Sequence, residues 1–226
     1  IACGSFTTDG SGNATVELGW EPQYTLIKST ADDVWRVEDS MRGMNLTGYN
    51  LLYPNTSGAE TVGTGDLYHN MPTATGFITK GRAVSQTYIY MAIRRQMKTP
   101  LSSDEVFNAI ARTGTSAVAT VACGFTPDLV LSKGRNSTLQ TALQDRLRGV
   151  KKQLLTCETD AESSPSTGLT NFDVMDGIIV DGAGGYWNTT YNYTNYFFKR
   201  AKGFFDVVAY TGDGTSDRAV QHGLTA

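Results

Sequence analysis

The stretch Ala14-Thr-Val-Glu-Leu-Gly-Trp-Glu-Pro-Gln-Tyr-Thr-Leu-Ile-Lys28 returns as Ala119-Thr-Val-Ala-Cys-Gly-Phe-Thr-Pro-Asp-Leu-Val-Leu-Ser-Lys133. Ala, Thr, Val, Gly, Pro, Leu and Lys recur in register, and Phe125 stands where Trp20 stood. Self-similarity at a fixed spacing decides the architecture before any local reading does. The spacing from 14 to 119 is 105 residues. Such a unit is too long for a solenoid repeat and has the size of a small β domain.

The similarity extends on both sides. Thr87–Arg95, TYIYMAIRR, lines up with Asn192–Arg200, NYTNYFFKR. Between them, DSMRG (39–43) faces DRLRG (145–149), and LLYPNTSGAE faces LLTCETDAE. A further copy of FTTDGSGNATVELGW (6–20) begins as YTGDGTSDRAVQHGL (210–224). The expected organisation is a first unit over 1–97, a linker over 98–104, a second unit over 105–203 and the first hairpin of a third copy over 204–226. The partial third copy, and an opening at Ile1 without methionine, suggest a piece of a longer chain.

The local signals favour strands. Residues 14–18 and 24–28 are β-rich, with a bend at 19–22. DVWRVED and TGFITKG read as strands, and TYIYMAIR is apolar enough to be buried on both sides. Gly, Asn and Pro recur between these segments, so the expected class is all-β: two tandem sandwiches, jelly-roll-like or immunoglobulin-sized. One segment dissents. STLQTALQDRLRGV places Leu139, Leu143 and Leu147 at helical spacing ahead of Gly149, which predicts a short helix.

Composition narrows the partners. The chain has 226 residues, 40% hydrophobic and 18% charged, with a net charge of −3. Binding of nucleic acid needs a basic excess that is missing here. There is no apolar run of membrane-spanning length and no signal peptide, so no membrane insertion is expected. Three widely spaced cysteines, Cys3, Cys123 and Cys157, read as buried reduced thiols rather than a disulfide frame or zinc site. Six Asn-X-Ser/Thr sequons read as chance in a chain rich in Asn and Thr.

NLTG, LLYPNTSGAE, TYIYMAIRRQMKTP, DRLRG and FFKRAKGFFDVVAYTGDGT resemble tandem domains of bacteriophage virion proteins, the tail-fibre-like structural class. The resemblance covers nearly the whole chain. It implies a structural virion protein (tail fibre, appendage or capsid-surface component) made in the host cytoplasm and exposed on the particle. The implied partners are other copies of itself, other virion proteins and a host surface glycan or receptor. It carries over no catalytic residues and no cofactor.

Candidate chemistry is sparse. Asp9-Gly10-Ser11-Gly12-Asn13 spaces oxygens as a calcium loop does, and Asp213-Gly-Thr-Ser-Asp217 is similar. The twelfth position, however, is Trp20 rather than a carboxylate, and the second unit has Gly114, Ser116 and Val118 instead. These links therefore read as hairpin turns with positive φ, and no metal is expected. His222 sits where the first copy has Leu18. His69 reads as a surface-loop residue three positions after Asp66. The carboxylate pairs Asp32-Asp33, Glu38-Asp39 and Asp104-Glu105 read as turn residues, although a capsule depolymerase would use such a pair. The candidate glycan contacts are Tyr186, Trp187 and Tyr191, in the loop before a buried strand, because exposed aromatic faces stack on sugar rings.

Overall fold

The computed structural model describes residues 1–65, 68–95 and 97–224. Among them are 17 strands, one short 3₁₀ turn at Ser103–Glu105 and no α-helix. The protein is all-β. It divides into two compact units, Ile1–Gln96 with Val208–His222, and Met97–Val207 with Gly223–Ala226.

In the first unit, β1 (Ala2–Thr7), β9 (Thr87–Arg94), β3 (Pro22–Ser29) and β4 (Arg36–Asp39) form one antiparallel sheet in that order. β2 (Ala14–Glu17), β8 (Gly76–Thr79) and β7 (Asn70–Thr73) form a second, and β5 (Gly48–Leu51) pairs with β6 (Thr61–Thr64). The second unit repeats this plan. β10 (Phe107–Thr113), β17 (Asn192–Phe198), β12 (Leu129–Gly134) and β13 (Ala142–Asp145) form one sheet, extended by β14 (Leu154–Leu155). β11 (Ala119–Ala122), β16 (Gly177–Val180) and β15 (Leu169–Asn171) form the other.

In each unit the two sheets feed one core. Val16 of β2, Ile27 of β3, Phe77 of β8 and Tyr88 of β9 meet in the first, with Phe6 packed against them. Val121 of β11, Val130 of β12, Leu169 of β15, Ile178 of β16, Phe197 of β17 and Trp187 meet in the second. The Asp-x-x-Arg-Gly repeat explains itself as a turn. Arg42 closes back on Asp39 at 2.6 Å and reaches Glu60 at 2.6 Å. Arg148 does the same with Asp145 and Glu162, at 2.5 and 2.9 Å. The following glycine takes a positive φ in both, 117° at Gly43 and 97° at Gly149.

Five expectations need correction. Residues 139–148 are not a helix: β13 pairs with β12, Leu129 opposite Asp145, and the chain then turns. Cross-strand pairing and burial of Ala142 and Gln144 outweigh a weak leucine period. TYIYMAIR is not buried on both sides. Tyr88 and Ala92 face the core, while Ile89 is 47% exposed on the opposite face of the strand. β1 and β2 do not form a hairpin, since they belong to different sheets and pair with β9 and β8. In the first unit the partners of β1 and β2 come 59 to 90 residues later in the chain. Nor does 206–224 hold a strand. Of the cysteines, only Cys123 is buried, with burial pushing its thiol up; Cys3 and Cys157 are exposed, and all three are free.

Gly76 and Gly177 open β8 and β16 at matching places. A Cβ would lie 1.9 Å from the Val16 carbonyl oxygen in one case and 2.1 Å from that of Val121 in the other. Gly76→Ala and Gly177→Ala should each cost about 1–3 kcal/mol, because the neighbouring strand must move. Urea midpoints check this, and an unchanged midpoint would show that the strands part freely.

Candidate binding pocket in the first unit

The sheets of the first unit enclose a chain of polar groups. Glu38 of β4 and His69 are both fully buried, and Glu38 Oε2 bonds His69 Nδ1. His69 Nε2 meets the carbonyl oxygen of Asn45 at 2.5 Å, so this nitrogen carries the hydrogen. Glu38 also accepts the Asn70 backbone N–H at 3.0 Å. Asn70 in turn donates to Thr25 Oγ1 at 3.1 Å and accepts from Arg82 Nη2 at 2.7 Å.

Arg82 ends this chain. It is 5% exposed, and its Nε donates to Thr79 Oγ1 at 2.5 Å. Its guanidinium carbon lies 5.4 Å from the centre of the Tyr88 ring. Its hydrogen bonds go only to uncharged oxygens, and Nη1, itself buried, has none. Burial lowers its pKa to about 10, with the nearby Glu38 pulling the other way, so it stays cationic at neutral pH.

Arg82 lines a pocket of about 380 Å³ with Ser29, Asp32, Asp33, Arg36, Tyr68 and Gln86 among its neighbours. Arg36 is held by Asp33 at 2.7 Å. Burial pushes the Asp33 carboxyl up, but the Arg36 hydrogen bond and the Val34 N–H outweigh it and hold it below the usual carboxylate range. Asp33 is therefore an acceptor and a poor general acid. Asp32 is exposed at the rim. Tyr68 is 49% exposed and holds a φ of 60°.

The second unit resolves the same positions differently. Gln144, one residue before the Asp of the turn as Glu38 is, bonds Gln153 at 3.4 Å. Six residues before the buried tyrosine of the last strand, the first unit has Arg82 and the second has Trp187. The cation moves to β10: Arg112, opposite Tyr193 as Phe6 is opposite Tyr88, lies 5.2 Å from the Tyr193 ring. Its Nε, Nη1 and Nη2 are all bonded, to Asn195, Asn188 and the Trp187 carbonyl. One unit keeps a buried cation with a spare donor, and in the other every guanidinium nitrogen is bonded.

The residues singled out from the sequence fare unevenly. Trp187 is 1% exposed and bonds Gln153 Oε1 at 3.0 Å, so it is a core residue and cannot stack on a ligand. Tyr186 is half-buried against the same core, its hydroxyl on Gln140 at 3.0 Å. Tyr191 is 38% exposed. His69 is internal rather than a surface residue; Asp66, its sequence neighbour, lies outside the described residues. Glu38 is a buried hydrogen-bond acceptor rather than a turn carboxylate, and Asp39 alone serves the turn. The Asp9 carboxylate is used locally, accepting the N–H groups of Ser11 and Asn13 at 2.8 and 2.9 Å. Asp213 makes the same closure on Thr215. Arg82 was missed: a lone arginine between Gly and Ala carries no local signal, and its role depends on Asn70, Thr79 and Tyr88.

Residues 102–204 match the model of a domain of unknown function, DUF7483. No curated protein and no solved structure matches the chain.

Proposed function

We propose that the protein is a non-enzymatic structural and adhesive component of a bacteriophage virion, displaying tandem β-sandwich units on the particle surface. The observation that carries this reading is the duplication of the structural apparatus. The Asp39–Arg42–Glu60 cluster recurs as Asp145–Arg148–Glu162, and the same sheet order recurs around it. The side chains that repeat between units are those that close turns and fill cores, as a spacer or displayed scaffold requires. Its action is mechanical: rigid units assembled in symmetric copies multiply weak contacts into firm attachment.

A second reading, a glycan- or receptor-binding module, is favoured by the Arg82 pocket. Such a module is compatible with the first reading, since adhesion needs a contact surface. The test of the virion assignment is direct. Antibody raised against the purified chain should decorate washed particles in electron micrographs, and its peptides should appear in many copies per particle. Particles devoid of the chain would refute the assignment.

A further inference from the structure

We propose that the pocket at Arg82 is a binding site for a carboxylated sugar, with the carboxylate seated on Arg82, the ring against Tyr68 and a hydroxyl on Asp32. This deepens the adhesion reading and rests on it for its biological meaning.

Arg82 is a buried cation whose hydrogen bonds all go to uncharged oxygens and whose Nη1 bonds nothing. Glu38 and Asp33 act on it only through space, and neither carboxylate bonds the guanidinium. A buried charge without a counter-charge is costly unless an ion comes to meet it. Arg112 in the second unit shows that the fold can satisfy such an arginine internally, with a bond at each guanidinium nitrogen. The first unit does not, and it has a pocket at that place.

The walls choose the anion. Asp33 is already committed to Arg36. Asp32 adds a further negative charge at the rim, where it makes no hydrogen bond or ion pair. Phosphate or sulfate would meet two carboxylates across a pocket with one spare cation. A single carboxylate brings less negative charge than phosphate or sulfate, and hydroxyls on the body that carries it donate to Asp32, so it meets less of that repulsion. Tyr68 supplies the third element. A bulky residue at a φ of 60° is held in a costly conformation. This backbone keeps a half-exposed aromatic ring beside the pocket, and aromatic faces pack on the C–H faces of sugar rings. At about 380 Å³ the pocket falls within the range of small-ligand sites.

The test uses the purified chain labelled with ¹⁵N, titrated with D-glucuronate, D-glucose and inorganic phosphate. Glucuronate should give saturable shifts of the Gly81 and Ala83 amides; glucose and phosphate should bind at least about tenfold more weakly, the loss of one charge-assisted bond. Tyr68→Gly suits this backbone, so the fold should stay intact while binding falls. Asp32→Asn, at an exposed position, should weaken glucuronate about tenfold. Arg82→Gln should abolish binding. Should that variant fail to fold, the other two decide. Phosphate binding as tight as glucuronate, or full affinity in both Tyr68→Gly and Asp32→Asn, overturns the proposal. Absence of glucuronate binding in a chain that is found on particles would sink this inference and leave the adhesion reading standing. Binding by a chain absent from particles would do the reverse.

Discussion

Trp187→Ala is expected to destabilise the second unit by about 3–5 kcal/mol, the cost of emptying a large aromatic site. The indole is 1% exposed and packs with Val121, Leu169, Ile178 and Phe197. It also lies against Gly168, where a Cβ would come within 2.6 Å of Trp187 Cδ1. No smaller side chain fills that space. The substitution also removes the N–H that Gln153 accepts, leaving Gln153 Oε1 with the 3.4 Å bond from Gln144. Since whole domains are stable by about 5–15 kcal/mol, the unit should be near its unfolding threshold at room temperature. Urea unfolding followed by near-ultraviolet circular dichroism measures this. A loss below about 1 kcal/mol would show that the indole is peripheral. Tyr191→Ala, at an exposed position beside it in sequence, should change stability by less than about 0.5 kcal/mol.

The second large effect is expected at Glu38. Glu38→Ala should cost about 3–5 kcal/mol, because it strips His69 Nδ1 and the Asn70 N–H of their buried partner at once. His69→Ala should cost a similar amount by leaving the carboxyl without its closest contact. The second unit indicates how the loss can be repaired, since it holds Gln144 and Gln153 in a neutral contact. The double variant Glu38→Gln/His69→Gln should therefore be more stable than the sum of its single changes predicts. A double-mutant cycle reads that coupling directly, and additive losses would show that the two groups do not act as a pair. Because Asn70 links Glu38 to Arg82, the same cycle repeated with glucuronate present would show whether the buried chain holds the pocket in shape.

Much of the fold was legible because the chain writes it twice. Alignment of 14–28 with 119–133 located β2, β3, β11 and β12, and alignment of the Tyr-rich segments located β9 and β17. The leucine spacing at 139–147 misled, since three residues at helical intervals say nothing about the strand waiting beside them. The copy in the first unit, read as a strand, was the better guide. The site was less legible. An aromatic cluster in a loop looks the same in sequence whether it faces water or core, and Trp187 faced the core. Arg82, Tyr68 and Asp32 lie apart along the chain and join only when β8, the connection to β9 and the end of β3 converge.

The sequence by itself determined the duplication, the all-β class and the turns. Asp9 and Asp213 each accept N–H groups from the next few residues. Asp39 and Asp145 each capture an arginine three residues on. Such contacts close over a handful of residues, so their chemistry is present wherever their letters are. The tertiary structure decided the rest. Residues 210–217 repeat the turn of the first unit yet form no strand, since the turn closes locally whereas β1 is held by a strand far along the chain. Glu38 and His69 are 31 residues apart, and their burial depends on which sheets come together. Local hydrogen bonds are specified by neighbours; a spare buried donor exists only once the whole unit has closed around it.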